Sequence, residues 1–208
     1  MQQKGLLVVV SGPSGTGKGT VCKKLLSQRD NVRYSVSATT RKPREGEIEG
    51  QSYFFVSESK FLDMIKNDAL IEWDKYCDNY YGTPKSYVDS CMENGMDIIL
   101  EITVEGALEI KQKYPDSVLI FILPPSFDEL RRRIECRATE CTDVIEKRLQ
   151  KAASEIKYVS KYDYLILNDS VDEAVLNIEK VLDSERLKPS RNTEMIESLS
   201  SNSGGIIL

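Results

Sequence analysis

Histidine is absent from this chain of 208 residues, and its absence excludes several kinds of active site. A Ser-His-Asp triad cannot be built, and neither can general acid–base catalysis by an imidazole. Zinc centres that depend on histidine ligands are excluded for the same reason. The chemistry of this chain must therefore come from other side chains, from the backbone or from bound cofactors.

Cysteine is scarce and follows no pairing pattern. The chain has 5 cysteines without a C-x-x-C pair, at Cys22, Cys77, Cys91, Cys136 and Cys141. An odd, scattered set indicates reduced thiols in a cytosolic protein. Cys136 and Cys141 are close in sequence, but a zinc site would need further ligands nearby.

Long hydrophobic runs and an excess of positive charge are also missing. The first apolar run, Leu6–Val10, is too short for a signal peptide or a membrane span. The net charge of −5 argues against non-specific binding of nucleic acid through a basic face. With 40% hydrophobic and 29% charged residues, the composition is that of one globular domain with room for an inserted subdomain. We expect a cytoplasmic protein without nucleic-acid or membrane partners.

The most informative stretch that is present is a glycine-rich loop, SGPSGTGKGT, at residues 11–20. It joins the apolar run to a helical stretch from Lys18 to Ser27, which is the context of a P-loop. Backbone N–H groups and a helix N-terminus would cradle phosphates there, and Lys18 would add a full charge. The general motif has Ser or Thr directly after the lysine to hold magnesium, but Gly19 stands in that place. The candidate phosphate-binding residues are Gly12, Pro13, Ser14, Gly15, Thr16, Gly17, Lys18, Gly19 and Thr20.

Apolar runs alternate with helical patterns along most of the chain, which predicts an α/β fold around a parallel sheet. The predicted core strands are 6–10, 33–37, 98–102, 118–123 and 164–167. Between about 38 and 90 the sequence pattern changes. It predicts a small mixed insert with short strands, a helix capped by Ser57 and a turn at 79–84. Ser126 and Ser170 have capping-box spacing before two further helices. The Ser- and Asn-rich residues from about 189 predict a mobile tail.

Two arginine groupings could supply charge around the loop. Arg41 and Arg44 lie on a segment turned by Pro43 and would suit a second phosphate, although their spacing alone favours a solvated charged loop. The second grouping spans two successive helices that could close over a ligand as a lid. A solvent-facing basic helix fits that spacing equally well. Its members are Arg131, Arg132, Arg133, Arg137 and Arg148.

An acidic and aromatic set completes the candidates. A carboxylate can accept both N–H groups on one edge of guanine and selects against adenine, which lacks that pattern. Tyrosine hydroxyls can bond a phosphate. Each member taken singly is more often an ordinary surface or half-buried residue. The set comprises Ser37, Tyr53, Glu72, Tyr81, Thr83 and Glu101.

Taken in order, these segments resemble the guanylate kinases. The resemblance rests on GPSGTGK at 12–18, SVSATTRKPREGE at 35–47, IEW at 71–73, NYYG at 79–82 and RATE at 137–140, and it covers about 5–187. The arginine-rich segment from Ser37 to Glu47 is the most specific part, because other nucleoside-monophosphate kinases do not carry it. The resemblance implies a three-layer P-loop kinase fold with a five-stranded parallel core sheet, a small mixed GMP-binding insert and a helical lid. By position, the core is about 1–37, 95–130 and 159–187, the insert 38–94, the lid 131–158 and the tail 188–208.

The resemblance also implies a role for each candidate. Lys18 and the loop amides would bind ATP, with Arg133, Arg137 and Arg148 as lid arginines and Asn168 near the adenine. Arg41, Arg44, Tyr53 and Tyr81 would hold the GMP phosphate. Glu72 and Ser37 would read guanine, with Thr83 in the same site. Glu101 would stand near the magnesium and the phosphates. The implied catalytic set is Lys18, Arg41, Arg137 and Arg148.

The chain departs from the family pattern at three places. Thr103 stands where an aspartate often helps to bind guanine, so selectivity would depend more on Glu72. Cys136 and Ala138 replace glycines that are common around the lid arginine. Gly19 has no hydroxyl for magnesium, a variation also seen in bacterial members, so Mg²⁺ would be held mainly by phosphates and water.

The implied reaction is phosphoryl transfer from ATP to GMP, and to dGMP, with Mg²⁺ as cofactor. A non-catalytic scaffold domain of the same family is an alternative, but such domains have degraded P-loops and neighbouring interaction modules. A kinase acting on another acceptor, such as a ribose phosphate, is a second alternative, against which the tyrosines and Glu72 favour a purine nucleotide. The oligomeric state is not encoded in any pattern recognised here.

Overall fold

A five-stranded parallel sheet forms the centre of the protein, whose structure is a computed structural model that describes residues 3–76, 78–137 and 142–202. The strands are β1 (Leu7–Ser11), β2 (Val32–Tyr34), β3 (Ala38–Thr39), β4 (Phe54–Phe55), β5 (Leu70–Tyr76), β6 (Asn79–Pro84), β7 (Asp97–Glu101), β8 (Val118–Leu123) and β9 (Tyr164–Leu167). The helices are α1 (Lys18–Gln28), α2 (Glu58–Lys66), α3 (Lys85–Glu93), α4 (Val104–Lys113), α5 (Phe127–Arg137), α6 (Thr142–Ile156), α7 (Val171–Arg186) and α8 (Thr193–Asn202). Short 3₁₀ turns lie at Val159–Lys161 and Pro189–Arg191.

The order of the central sheet is β2-β7-β1-β8-β9, and every pairing in it is parallel. Alternate residues of β1 serve opposite faces, because successive side chains of a strand point to opposite sides. Val8 and Val10 pack with α1 and α7, whereas Leu7 and Val9 pack with α3 and α4. The sheet is thus the middle of three layers, which confirms the predicted fold and explains why the central strands β1 and β8 are almost entirely apolar.

A second, four-stranded sheet forms the insert, in the order β4-β3-β6-β5. β3 pairs with β4 in parallel, and β6 pairs antiparallel with both β3 and β5. The predicted turn at 79–84 is therefore wrong, since these residues are strand β6. The Tyr80 ring stacks on the buried Phe61 ring at 5.3 Å, so packing and pairing with β5 outweigh the turn preference of Asn, Gly and Pro.

The three helices begin at the predicted serines, and two of these serines make the capping hydrogen bond. The Ser57 hydroxyl accepts a bond from the Lys60 amide, and the Ser126 hydroxyl accepts one from the Glu129 amide at 3.1 Å. Ser170 is the N-cap of α7 as predicted, but within the described residues its side chain makes no capping hydrogen bond. An extended Ser at N-cap suffices there to begin the helix.

The segment after Leu187 differs from the predicted mobile tail, because residues 189–202 contain a 3₁₀ turn and helix α8. Arg191 donates to the Asp116 carbonyl at 2.7 Å and to Glu185 at 3.0 Å. Asn192 donates to the Arg186 carbonyl at 2.9 Å. These bonds tie the start of the segment to α7 and to the loop before β8. The terminal apolar residues, 206–208, lie outside the described residues.

No helix within 3–76, 78–137 and 142–202 is both long enough and apolar enough to cross a membrane.

Candidate active site

The loop between β1 and α1 has the geometry of a P-loop. Gly15 and Gly17 have φ of 90° and 87°, in the left-handed region that favours glycine. A Cβ on Gly17 would lie 2.4 Å from Nδ2 of Asn168, so neither the conformation nor the space allows another residue there. The loop is thereby shaped by its glycines and by the neighbour that they allow to approach.

Lys18 lies at the first position of α1 and bends back over the loop. Its Nζ donates to the carbonyls of Gly12 at 2.6 Å and Pro13 at 3.0 Å. The ammonium therefore stands at the mouth of a cavity of about 370 Å³ at the N-terminus of the helix. Cations, amides and one carboxylate surround this cavity, which suits an anion with an associated cation. It is lined by Ser14, Gly15, Gly17, Lys18, Gly19, Thr20, Lys23 and Glu101.

Asn168, which follows β9, supports the loop through a hydrogen bond to its backbone. Its Nδ2 donates to the Thr16 carbonyl at 2.8 Å, its own amide bonds the Leu123 carbonyl at 2.7 Å, and the residue is 3% exposed. Sequence reasoning placed Asn168 near an adenine and missed this bracing contact. The contact with adenine stays a prediction.

The paired helices α5 and α6 sit on the loop, as the predicted lid requires. Leu130 and Ile134 of α5 pack against Leu149 and Ala152 of α6. A Cβ on Gly15 would lie 2.8 Å from Cγ1 of Ile134, so α5 touches the loop directly. The lid and the P-loop are therefore in contact in this structure.

The lid arginines divide into two groups. Arg148 donates to the Ser14 hydroxyl at 2.7 Å, and Arg133 donates to the Asn168 carbonyl at 3.0 Å and to Glu129 at 2.7 Å. These two face the P-loop. The backbone of Arg137 ends α5, but its side chain lies outside what the structure describes.

The other two arginines of α5 are part of the surface. Arg131 bonds Glu146 at 2.8 Å, and Arg132 bonds Glu129 at 2.7 Å. The bonds from Arg132 and Arg133 lower the pKa of Glu129 to about 2. The solvent-facing interpretation of this basic helix is thus right for Arg131 and Arg132, whereas Arg133 reaches the loop.

The loop that carries Arg41 and Arg44 is organised by a carboxylate. Glu47 accepts from Nη2 of Arg41 and from the backbone amide of Arg44, each at 2.7 Å. The hydrogen bond from Arg41 lowers the pKa of Glu47 and, in return, raises that of Arg41. The Arg41 guanidinium lies 5.3 Å from the centre of the Tyr53 ring, a cation–π contact. Glu47 was quoted in the motif but was not identified from sequence as the organiser of this loop.

The two tyrosines predicted for the phosphate are neighbours. The rings of Tyr53 and Tyr81 meet edge to face with centres 6.1 Å apart. Tyr81 lies on β6 opposite Thr39 of β3. Thr39 precedes Arg41 by two residues, so Arg41 lies near Tyr81. The insert sheet therefore brings Arg41, Tyr53 and Tyr81 together from three separate stretches of sequence.

Glu72 occupies the adjoining part of the insert. Its Oε1 accepts from the Thr83 hydroxyl at 2.7 Å, and Thr83 is 1% exposed. Burial raises the pKa of Glu72, against the effect of this hydrogen bond. The register of β3 on β6, with Ala38 opposite Gly82, sets Ser37 opposite Thr83. Glu72 and Thr83 are thus hydrogen-bonded to each other, with Ser37 on the neighbouring stretch, and their role in reading a base stays a prediction.

Glu101 ends β7 and lies beside Val10 at the end of β1. Its carboxylate accepts a bond from the Tyr34 hydroxyl, a contact that the sequence analysis missed because Tyr34 belongs to no motif. Thr103, the departure from the family pattern, caps α4 by accepting a bond from the Gly106 amide at 3.2 Å. Ala138, which also departs from the family pattern, lies outside the described residues.

Comparisons with known proteins agree with this geometry. The family model described as Guanylate kinase matches residues 4–185. The guanylate kinase of Caldanaerobacter subterraneus subsp. tengcongensis is 50% identical over 195 residues, which are 94% of this chain and 95% of that protein. That of Desulfitobacterium hafniense is 50% identical over 198 residues, 95% of this chain and 99% of that protein.

A solved structure of a guanylate kinase has the same fold. The crystal structure of guanylate kinase from Anaplasma phagocytophilum is similar with a TM-score of 0.70 and 35% identity, over 95% of this chain and 96% of that one. The match therefore includes the insert and the lid as well as the central sheet. On this geometry, and on matches that run along nearly the whole chain, the protein belongs to the guanylate kinase family.

Proposed function

We propose how the residues of this site carry out the reaction of the family, the ATP-dependent phosphorylation of GMP to GDP. The chain is an ATP:GMP phosphotransferase. The observation that carries our assignment is the presence of two separate anion sites, the P-loop cavity and the Arg41–Tyr53–Tyr81 group. A phosphotransferase needs both, because it must hold two polyanions close together.

The donor phosphates bind in the P-loop cavity. Loop amides and Lys18 hold them, and Arg133, Arg137 and Arg148 approach from the lid. Arg148 already reaches Ser14 of the loop in this structure. Charge that develops on the transferring group is therefore met by fixed donors, which is the main source of catalysis in such transfers.

The acceptor phosphate binds to Arg41, Arg44, Tyr53 and Tyr81. One of its oxygens attacks the γ-phosphorus in line with the departing ADP. This oxygen is already anionic at neutral pH, so the reaction needs no strong general base. A chain without histidine is well suited to such chemistry.

Guanine is read by Glu72, with Ser37 and Thr83 beside it. The ionised carboxylate accepts from the N1–H and the amino group of guanine, and adenine cannot satisfy it. This reading involves the base and not the sugar, so dGMP is included among the substrates. Glu72 would then carry most of the selectivity, since Thr103 is engaged as a helix cap.

Mg²⁺ is the expected cofactor, and the residues present fit it. One carboxylate lines the P-loop cavity, which suits Mg²⁺ held by phosphates, water and that carboxylate. Glu101, on the wall of the cavity beside Gly19, would be that carboxylate. When bound, Mg²⁺ would neutralise phosphate charge during transfer.

The three parts of the chain would have separate tasks. The core at about 1–37, 95–130 and 159–187 holds the donor, the insert at 38–94 holds the acceptor, and the lid at 131–158 closes over both. Closure excludes water that would otherwise hydrolyse ATP. Scattered thiols and an acidic net charge support a cytoplasmic location and the absence of nucleic-acid binding.

One substrate panel tests this proposal. Purified protein is incubated with ATP, Mg²⁺ and one of GMP, dGMP, AMP or a ribose bisphosphate, and ADP formation is measured. We expect transfer to GMP and dGMP and little to the other two. Equal use of AMP would remove Glu72 from base recognition, and transfer to the ribose bisphosphate alone would replace the proposal. No transfer to any acceptor would favour a scaffold domain.

A further inference from the structure

A chain of interacting side chains lies beside the donor cavity and joins three elements. The Tyr34 hydroxyl, at the end of β2, donates to Oε2 of Glu101 at the end of β7. The Cys22 thiol, on α1, interacts with the same hydroxyl.

The chain is fixed at its inner end and open at its outer end. Cys22 is fully buried, and burial raises the pKa of its thiol to about 12, so the thiol stays protonated. Burial also raises the pKa of Tyr34, which keeps the phenol protonated as a donor. Glu101, by contrast, is exposed on the wall of the donor cavity.

The carboxylate is held against the first turn of α1. A Cβ on Gly19 would lie 3.4 Å from Oε2 of Glu101, so the carboxylate is within van der Waals reach of the first turn of α1. Cys22 lies four residues after Lys18, one turn along the same face of α1. Tyr34 thus links Glu101 to the helix that presents Lys18.

We propose that Tyr34 is a positioning residue that keeps the Glu101 carboxylate turned into the donor cavity, through the Cys22–Tyr34–Glu101 chain. This inference rests on the proposed role of Glu101 beside the ATP phosphates. A carboxylate next to a polyphosphate repels it unless a cation lies between them. By holding the carboxylate in the cavity, Tyr34 therefore raises the affinity for the cation-bound nucleotide and does not raise the affinity for the metal-free nucleotide.

The experiment is a calorimetric titration with a non-hydrolysable ATP analogue, in Mg²⁺ and again in EDTA. The proteins are the parent, Tyr34→Phe, Glu101→Gln and the double variant. Tyr34→Phe should weaken binding in Mg²⁺ about tenfold, the effect of one hydrogen bond to a charged group. It should not weaken binding in EDTA, it should leave the KM for GMP unchanged, and it should add nothing to Glu101→Gln.

Tyr164→Phe is the matched control. The Tyr164 hydroxyl also donates to a carboxylate, that of Glu185, with a bond length of 2.6 Å, but this pair does not line the cavity. The substitution removes the same kind of bond and should leave both titrations unchanged. Equal weakening of Tyr34→Phe in Mg²⁺ and EDTA, an unchanged affinity in Mg²⁺, or additive effects in the double variant would each overturn the proposal. Failure of the parent to phosphorylate GMP would instead overturn the proposed function, and the titrations distinguish the two.

Discussion

The proposed donor site and the proposed acceptor site of this protein are built in different ways. The donor site is mostly backbone, formed by one continuous loop whose shape depends on Gly15, Gly17 and the buried Asn168. The acceptor site is made of side chains from separate stretches that meet only when β3 pairs with β6 and β6 with β5. We therefore expect the donor site to tolerate no change of backbone shape and the acceptor site to depend on individual polar contacts.

The two sites also differ in how their charges are arranged before substrate arrives. Lys18 rests on carbonyl oxygens of its own loop, so its charge is not neutralised by those contacts. Arg41 is paired with Glu47, which an acceptor phosphate must share or displace. Acceptor binding would therefore include a rearrangement of the Arg41–Glu47 ion pair. The four variants below test this contrast, from the largest expected effect to the smallest.

Lys18→Ala should lower kcat by about two to three orders of magnitude, the usual loss when one preorganised donor to developing charge is removed. The loss should fall on ATP binding and turnover, with the fold and the affinity for GMP retained. A coupled ADP assay measures turnover and the KM values for ATP and GMP, and circular dichroism checks that the fold is retained. Near-normal turnover would contradict the role of Lys18 on the donor side. Lys42→Ala, on an exposed position of the insert loop, is the matched control.

Glu72→Gln should raise the KM for GMP about 10- to 100-fold, because a charged acceptor is replaced by a neutral one. Affinity for an ATP analogue should not change. Asp74→Asn, on the exposed part of the same strand, is the control. An unchanged KM for GMP in the Glu72 variant would remove this residue from base recognition.

The pH dependence of GMP binding sharpens the same prediction. Burial raises the pKa of Glu72, and only its ionised form accepts both guanine N–H groups. Affinity for GMP should thus be full above that pKa and fall as the pH decreases through it, at a pH higher than for an ordinary glutamate. The decline should be absent in Glu72→Gln.

Gly17→Ala should destabilise the protein by about 2 kcal/mol or more and weaken ATP binding, through a positive φ and a clash with Asn168. Gly46→Ala separates the two causes, because Gly46 also has a positive φ but a Cβ there would meet open space among the described residues. Thermal denaturation and nucleotide titration compare the variants. Equal destabilisation would mean that the close approach of Asn168 does not matter.

Glu47→Gln should raise the KM for GMP by several-fold, because Arg41 and the Arg44 amide lose a charged partner that orients them. Glu45→Gln, an exposed carboxylate of the same loop, should have little effect. A lower KM for GMP in the Glu47 variant would show that the ion pair competes with the substrate more than it prepares the site.

The contrast between the sites also explains what the sequence could predict. The P-loop is one continuous motif with a local physical cause, and its strand, glycines, lysine and helix all lie where expected. The central strands β1 and β8 were predictable because strands buried on both faces are almost entirely apolar. Strand β6 was not, since Asn79, Gly82 and Pro84 are turn residues and only tertiary packing makes them a strand.

The candidate residues of the acceptor site came from a family pattern and not from local physics. Nothing in the spacing of Arg41 or Glu72 distinguishes them from solvated charges, because strand pairing decides which side chains meet. The contacts that the sequence analysis missed are partners of the predicted residues: Glu47 for Arg41, Tyr34 for Glu101 and Asn168 for Thr16. Such partners become visible only when distant segments are brought together.

The most direct test of separate donor and acceptor sites is a cross-comparison of affinities. Titration calorimetry gives the Kd of a non-hydrolysable ATP analogue and of GMP for the parent, Lys18→Ala and Glu72→Gln. We predict that Lys18→Ala weakens binding of the ATP analogue alone and that Glu72→Gln weakens binding of GMP alone. Weakening of both ligands in either variant would contradict the separation of a backbone-built donor site from an acceptor site built of side chains.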